Sequence, residues 1–172
     1  NIWKLFAIRY VVLTQPQQIP GFHQVLGPVP TQRGESILYE ADTLPPYARV
    51  IAAAALVPDS QIVATVTDPR YPIEQLVVYP DTVAIRPSPL GSQLPAPSTR
   101  AASVTEWWAG HLEIAIKGDA AATEYLVVAE NWYPDWHARV DGKTVPVYRG
   151  QGTLLSIELP AGAREVVLDF ES

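Results

Sequence analysis

In the second half of the chain, apolar and polar positions alternate from one residue to the next, and Gly, Pro or Asp interrupts the alternation at short intervals. Seven runs result: 102–108, 111–117, 125–130, 136–140, 144–149, 153–159 and 164–170. Successive side chains of a strand point to opposite faces, so a period of two marks strands with one buried face, and short connections make hairpins. Seven such runs predict an antiparallel β-sandwich. The run 125–130, YLVVAE, is apolar at both parities at its start, which predicts burial on both faces there and a wetter end near Glu130. Asn131 ends it. Pro134 fixes its own φ and pushes Tyr133 towards an extended conformation, so 131–135 should bend and bring Trp132, Tyr133 and Trp136 close together. Beyond 136–140, Asp141-Gly142 is the dipeptide of a type I′ hairpin turn, in which both central residues need positive φ.

The first half is less regular. Ile2, Leu5 and Phe6 have helical spacing and lead into a strand at 9–13, RYVVL. A brief strand at 22–26 is expected to end at Gly27, Pro28 and Pro30, and 36–40, SILYE, is a further strand. The apolar run 48–56 is read as one buried strand between prolines. Asp59 then caps a helix whose apolar stripe is Ile62, Val63 and Val66, stopped by Asp68-Pro69. A strand at 75–79 follows. Five prolines, at 80, 87, 89, 95 and 97, make 80–100 a linker or long loop in which only 83–86 has the pattern for brief edge pairing. These elements divide the chain into an N-terminal α+β portion (1–79), the Pro-rich segment (80–100) and the sandwich (101–172).

Composition narrows the functions. Twelve Lys and Arg against 18 Asp and Glu give a net charge of -6, and the basic residues are scattered, which argues against nucleic acid or anionic headgroups as partners. There is no Cys, so disulfides and thiolate metal sites are excluded. No apolar run reaches the roughly eighteen residues that a membrane helix needs. The chain starts at Asn1 and contains no Met, from which we expect a piece of a longer protein.

Five large rings stand in the sandwich half: Trp107, Trp108, Trp132, Tyr133 and Trp136. Rings at alternating positions of a sandwich mostly fill its core, whereas sugar-binding sandwiches use exposed rings to stack on the apolar faces of pyranoses. Neighbours in a strand face opposite ways, so Trp107 and Trp108 do not both enter the core unless a bulge intervenes. One of that pair, and Tyr133 if the bend projects it, are the rings expected at the surface. The candidate glycan-stacking set is Trp107, Trp108, Tyr133 and Trp136. The candidate polar contacts are Glu130, Asp135, Arg139 and Arg149, with the two arginines either pairing with nearby acids across a hairpin or gripping an anionic ligand.

His23, His111 and His137 lack metal-ligand spacing and are expected at the surface or at edges, so no metal or cofactor is expected. Glu130, Asp135 and Asp141 supply carboxylates, but glycosidic cleavage needs two of them facing each other, and turn formation accounts for Asp135 and Asp141 more simply. There is no GxSxG, P-loop or GxGxxG, and Gly150-Gln-Gly152 reads as a turn.

The run ENWYPDWHARVDGKTVPVYR, followed by LLSIELPAGAREVVLDF, resembles the C-terminal extracytoplasmic domain of bacterial YfhO-type multi-pass membrane proteins, relatives of glycosyltransferases that use lipid-linked sugars. The resemblance rests on Trp132, Tyr133, Pro134, Trp136, Asp141-Gly142-Lys143, Val145-Pro146-Val147-Tyr148-Arg149 and Pro160-Ala161-Gly162; Asp135 stands where Gly is common. The opening, NIWKLFAIRYVVL, is similar to the segment with which such domains follow their last membrane-associated helices. The resemblance implies a preceding block of transmembrane helices as partner, an extracytoplasmic location and an envelope polysaccharide as the object of sugar transfer. The chemistry would then lie in the membrane block, leaving this part non-catalytic. The resulting expectation is a mainly β protein: a C-terminal antiparallel sandwich of the jelly-roll or carbohydrate-binding-module type with a smaller N-terminal α+β portion, acting as an accessory domain. A structural or protein-interaction domain is the rival reading, and a glycoside hydrolase a remote one.

Overall fold

Ile2 and Leu5 open a single helical turn, α1 (Ile2–Leu5), which leads into β1 (Tyr10–Leu13). Hairpin strands β2 (Phe22–Thr31) and β3 (Gly34–Ala41) follow, and β3 lies between β1 and β2, antiparallel to both. In the computed structural model, which describes residues 2–89 and 93–171, this sheet belongs to one compact unit, Ile2–Pro46; the chain from Tyr47 on makes the other. β2 does not stop before Pro28 and Pro30, as the sequence suggests, but runs through them with register shifts on both sides of Leu26. The physical reason is its place at the edge of the sheet, where no neighbour needs the N–H that proline lacks.

From Tyr47 the chain forms β4 (Ala48–Ile51), β5 (Ala53–Val57), α2 (Asp59–Thr67) and β6 (Leu76–Pro80). After the Pro-rich segment come β7 (Ala101–Trp108), β8 (His111–Lys117), β9 (Glu124–Asn131) and β10 (Trp136–Val140). The chain closes with β11 (Lys143–Val145), β12 (Tyr148–Gly150), β13 (Leu154–Leu159) and β14 (Glu165–Phe170). Two antiparallel sheets, β11-β10-β14-β8-β7 and β12-β13-β9-β4, pack face to face, and β5 pairs in parallel with β6. The protein is thus mainly β with an antiparallel sandwich, as the alternating runs predict. Asp141 and Gly142, at φ 47° and 77°, make the positive-φ turn between β10 and β11.

The core between the sheets is built from one parity of each strand: Val50, Leu126 and Ile157 on one side, Ile114, Ala138 and Val166 on the other. The opposite parity of the four-stranded sheet is also buried. Ile51, Tyr125, Val127 and Leu154 lie under a third layer made by β5, β6 and α2. Tyr79 of β6 reaches that sheet, with its hydroxyl 2.6 Å from Ser156 Oγ and its ring 6.1 Å from that of Tyr125. β9 is therefore the central strand of a three-layer unit, which accounts for its run of apolar residues at both parities.

Several boundaries differ from the sequence expectations. The run 48–56 breaks at Ala52 into β4, which pairs with β9, and β5, which pairs with β6. The run 144–149 breaks at Pro146 into β11 and β12, which belong to different sheets. Because β4 is a sandwich strand, contacts divide the chain at 46/47 and not at 79/80. No strand forms at 83–86; instead Ile85 is buried, Ser88 N donates to Ala54 O, and Tyr125 Oη donates to Arg86 O. This segment is fastened to the three-layer unit and does not link two domains. Asp59 does not cap α2, whose N-cap is Pro58 without a side-chain hydrogen bond, and Val63 is exposed while Ile62 and Val66 are buried.

Among the described residues no helix is long and apolar enough to cross a membrane.

Candidate functional site

Register across the five-stranded sheet assembles a row of side chains on the face turned away from the core. Trp108 of β7 pairs with His111 of β8, His111 with Asp169 of β14, and Asp169 with His137 of β10. Their sequence neighbours Leu112, Leu168 and Ala138 are core residues, so by alternation the row points outward. The Trp108 indole stacks on the His111 imidazole with centroids 3.8 Å apart and planes 11° from parallel. His111 Nδ1 lies 2.6 Å from Asp169 Oδ1, and Asp169 Oδ2 accepts a hydrogen bond from Arg139 Nη2 at 2.8 Å. His111 Nε2 is 3.5 Å from Glu113 Oε1.

The placement of Trp108 depends on one irregularity. Val104 pairs with Ile114, a core residue, and without interruption Trp108 would share its inward parity. A bulge between Val104 and Glu106 leaves Thr105 as the extra residue and exchanges the faces beyond it. The imidazole covers one side of the indole, and Trp108 nevertheless remains 51% exposed. Asp169, itself held by Arg139, fixes the plane of the imidazole and hence that of the indole. The arrangement is a preset flat apolar surface bordered by a carboxylate and a guanidinium. Such a surface suits a ligand that offers C–H groups on one face and hydroxyls at its rim.

Of the residues picked from sequence, Trp108 and Arg139 belong to this row. Trp107 is 67% exposed, so both members of the pair lie at the surface. Tyr133 is also exposed and meets Phe170 edge-on at 6.4 Å. Trp136 is corrected: it shares the inward parity of Ala138 and Val140, packs on Phe170 at 5.4 Å, and is too buried to stack on a ligand. Trp132 packs against the core as well.

The remaining polar candidates have structural partners. Glu130 accepts the Tyr47 hydroxyl at 2.6 Å, and burial, followed by this carboxylate, raises the Tyr47 phenol above its ordinary range, so it stays a donor. Arg149 donates to Asp59 Oδ1 and Gly152 O, joining β12 to α2. Asp135 is exposed in the bend, where its carbonyl accepts the Glu171 N–H. Asp141 Oδ1 accepts the backbone N–H groups of Arg164 and Glu165. Neither arginine pairs with the three acids named beforehand.

From sequence His111 is expected only at the surface or an edge, and Asp169 and Glu113 are not candidates at all. His111 is not a surface or edge residue; its side chain is 14% exposed on a strand with neighbours on both sides. The available signal was parity, since His111 and Glu113 alternate with Leu112 and Ile114.

No family model matches the sequence, and no curated protein matches it. Among solved structures, the chain is similar to part of the cryo-EM structure of arabinofuranosyltransferase AftD from Mycobacteria, with 28% identity over 46% of this chain and a TM-score of 0.39. A mutant of that enzyme gives 28% identity over 40% of this chain and a TM-score of 0.37. The chain spans 6% of the length of either structure.

Proposed function

We propose that this chain is a non-catalytic accessory module that contacts a glycan through the outward face of its five-stranded sheet. In this reading it belongs to a larger membrane protein of glycosyltransferase type and stands on the extracytoplasmic side of a bacterial envelope. The glycan reading is carried by the half-exposed Trp108 ring, held flat on His111 and bordered by Asp169 and Arg139. The membrane context is supported by the resemblance of 130–149 and 154–170 to YfhO-type proteins. Sugar transfer is assigned to residues outside this chain.

The carboxylates fit this division. Asp135 and Asp141 flank the five-residue β10, and six residues of extended chain at ~3.4 Å each put them about 20 Å apart. Glycosidase pairs stand ~5–9.5 Å apart.

The test is a glycan screen with tryptophan fluorescence, using the native chain and the variants Trp108→Ala and Tyr133→Ala. A saturable signal is expected that disappears in Trp108→Ala and survives in Tyr133→Ala. Silence across envelope-type glycans with all three proteins folded would replace this reading with a structural or protein-docking role, for which the exposed Trp107 is the favouring observation.

A further inference from the structure

The unit Ile2–Pro46 contains a cleft of about 750 Å³ between the β1–β2 connection and the sheet, lined by Pro16, Gln17, Gln18, Phe22, Gln24 and Tyr39 among others. Its volume is within the ~300–1,000 Å³ usual for small-ligand clefts. No lining residue carries a charge, so nothing there would compensate a charged group taken from water.

Tyr39 is 5% exposed. Its hydroxyl accepts the Gln17 N–H at 3.1 Å and, among the described residues, donates to nothing. A buried O–H without an acceptor is costly unless a ligand or water supplies one. Gln24 Nε2 donates to Gly27 O at 2.6 Å, which holds that carboxamide in place. Phe22 is braced edge-on by Trp3 at 5.5 Å and gives the cleft an aromatic wall.

We propose that this cleft binds an uncharged saccharide. Carboxamides present donors and acceptors together, which matches hydroxyls that both give and take hydrogen bonds. A proline-rich segment would also suit Phe22 and the Tyr39 proton, but its prolines have no N–H to offer the carboxamide oxygens. The assignment is separate from the sheet-face site and does not depend on it.

Amide-correlation NMR of the whole chain, titrated with neutral pentose and hexose di- and tetrasaccharides, tests it. Saturable shifts of the Gln17 and Gln18 side-chain amides are expected, undiminished in Trp108→Ala, so this site and the sheet face fail or succeed separately. Affinity should drop about tenfold in Tyr39→Phe and in Gln18→Ala. Tyr39→Phe also frees the Gln17 N–H and loosens the connection, whereas Gln18→Ala leaves that bond in place. The proposal is overturned if no neutral saccharide moves these signals, if a proline-rich peptide or an acidic saccharide moves them more strongly, or if a folded Gln18→Ala binds like the native chain.

Discussion

Tyr79 lies between two layers that exclude water, and its hydroxyl must donate to Ser156 Oγ because Ser156 Oγ itself donates to Leu126 O at 2.9 Å. Removing the phenol oxygen leaves the serine still bonded. Tyr79→Phe should therefore cost only about 0.5–1.5 kcal/mol. Gly150→Ala should cost more, about 1–3 kcal/mol, from overpacking at the same place. A Cβ there would lie 2.9 Å from Ser156 Cβ and 3.3 Å from Val77 Cγ2. Urea midpoints at unchanged m-values measure both. The buried phenols also govern the alkaline limit. Burial chiefly pushes Tyr71 from 10.0 up to about 12, against the opposing pull of Gln151 and Arg49, and burial raises Tyr79 too. A phenol whose folded pKa is raised keeps its proton where the unfolded chain has lost it, so stability falls as pH rises. The contribution of Tyr71 is complete below pH 10.0 and disappears through about 12. Denaturant unfolding across that window should show the decline, less steep in Tyr71→Phe.

At the scale of elements, Arg100 fastens the start of β7 to the β13–β14 turn. Its guanidinium is fully buried, donates to Pro160 O at 3.2 Å and Ala163 O at 2.8 Å, and lies 3.6 Å from the Glu124 carboxylate of β9. Glu124 Oε2 has no hydrogen-bond partner among the described residues, so this guanidinium supplies its compensating charge. Arg100→Ala would strand that carboxylate and two carbonyls at a cost of about 3–5 kcal/mol. Adding Glu124→Gln should recover part of the loss. A thermal-melting double-mutant cycle decides this, and additive losses would mean that the two side chains do not interact. The β7 bulge is an element-scale device of another kind: one extra residue turns Trp108 from the core face to the solvent face.

At the scale of the whole molecule, the boundary at 46/47 makes a prediction about autonomy. A fragment starting at Tyr47 retains β4 and the β5–α2–β6 layer and should fold cooperatively. One starting at Ala101 lacks both and leaves Tyr125 and Val127 of β9, which face Ile51 and Arg49 of β4 in the ladder, bare on one face; it should aggregate or remain molten. Circular dichroism and limited proteolysis separate the outcomes. The mainly β class was legible because alternation is a local property, and so were β8, β9, β10, β14 and the Asp141-Gly142 turn. The third layer was not, because a run such as 48–56 is equally apolar whether it stays in one sheet or divides between two.

By itself, then, the sequence determined that short alternating strands pack as a sandwich, that β9 is buried on both sides at its start, and that Trp107 and Trp108 do not both enter the core; the structure leaves both at the surface. Those properties depend on side-chain parity within a single run. Only the tertiary structure decided that Trp108 meets His111, that Asp169 joins them to Arg139, that Trp136 enters the core, and that Arg149 serves α2. These depend on which strands become neighbours and in what register, and partners such as His111 and Asp169, 58 residues apart, come together through pairings that no local pattern specifies.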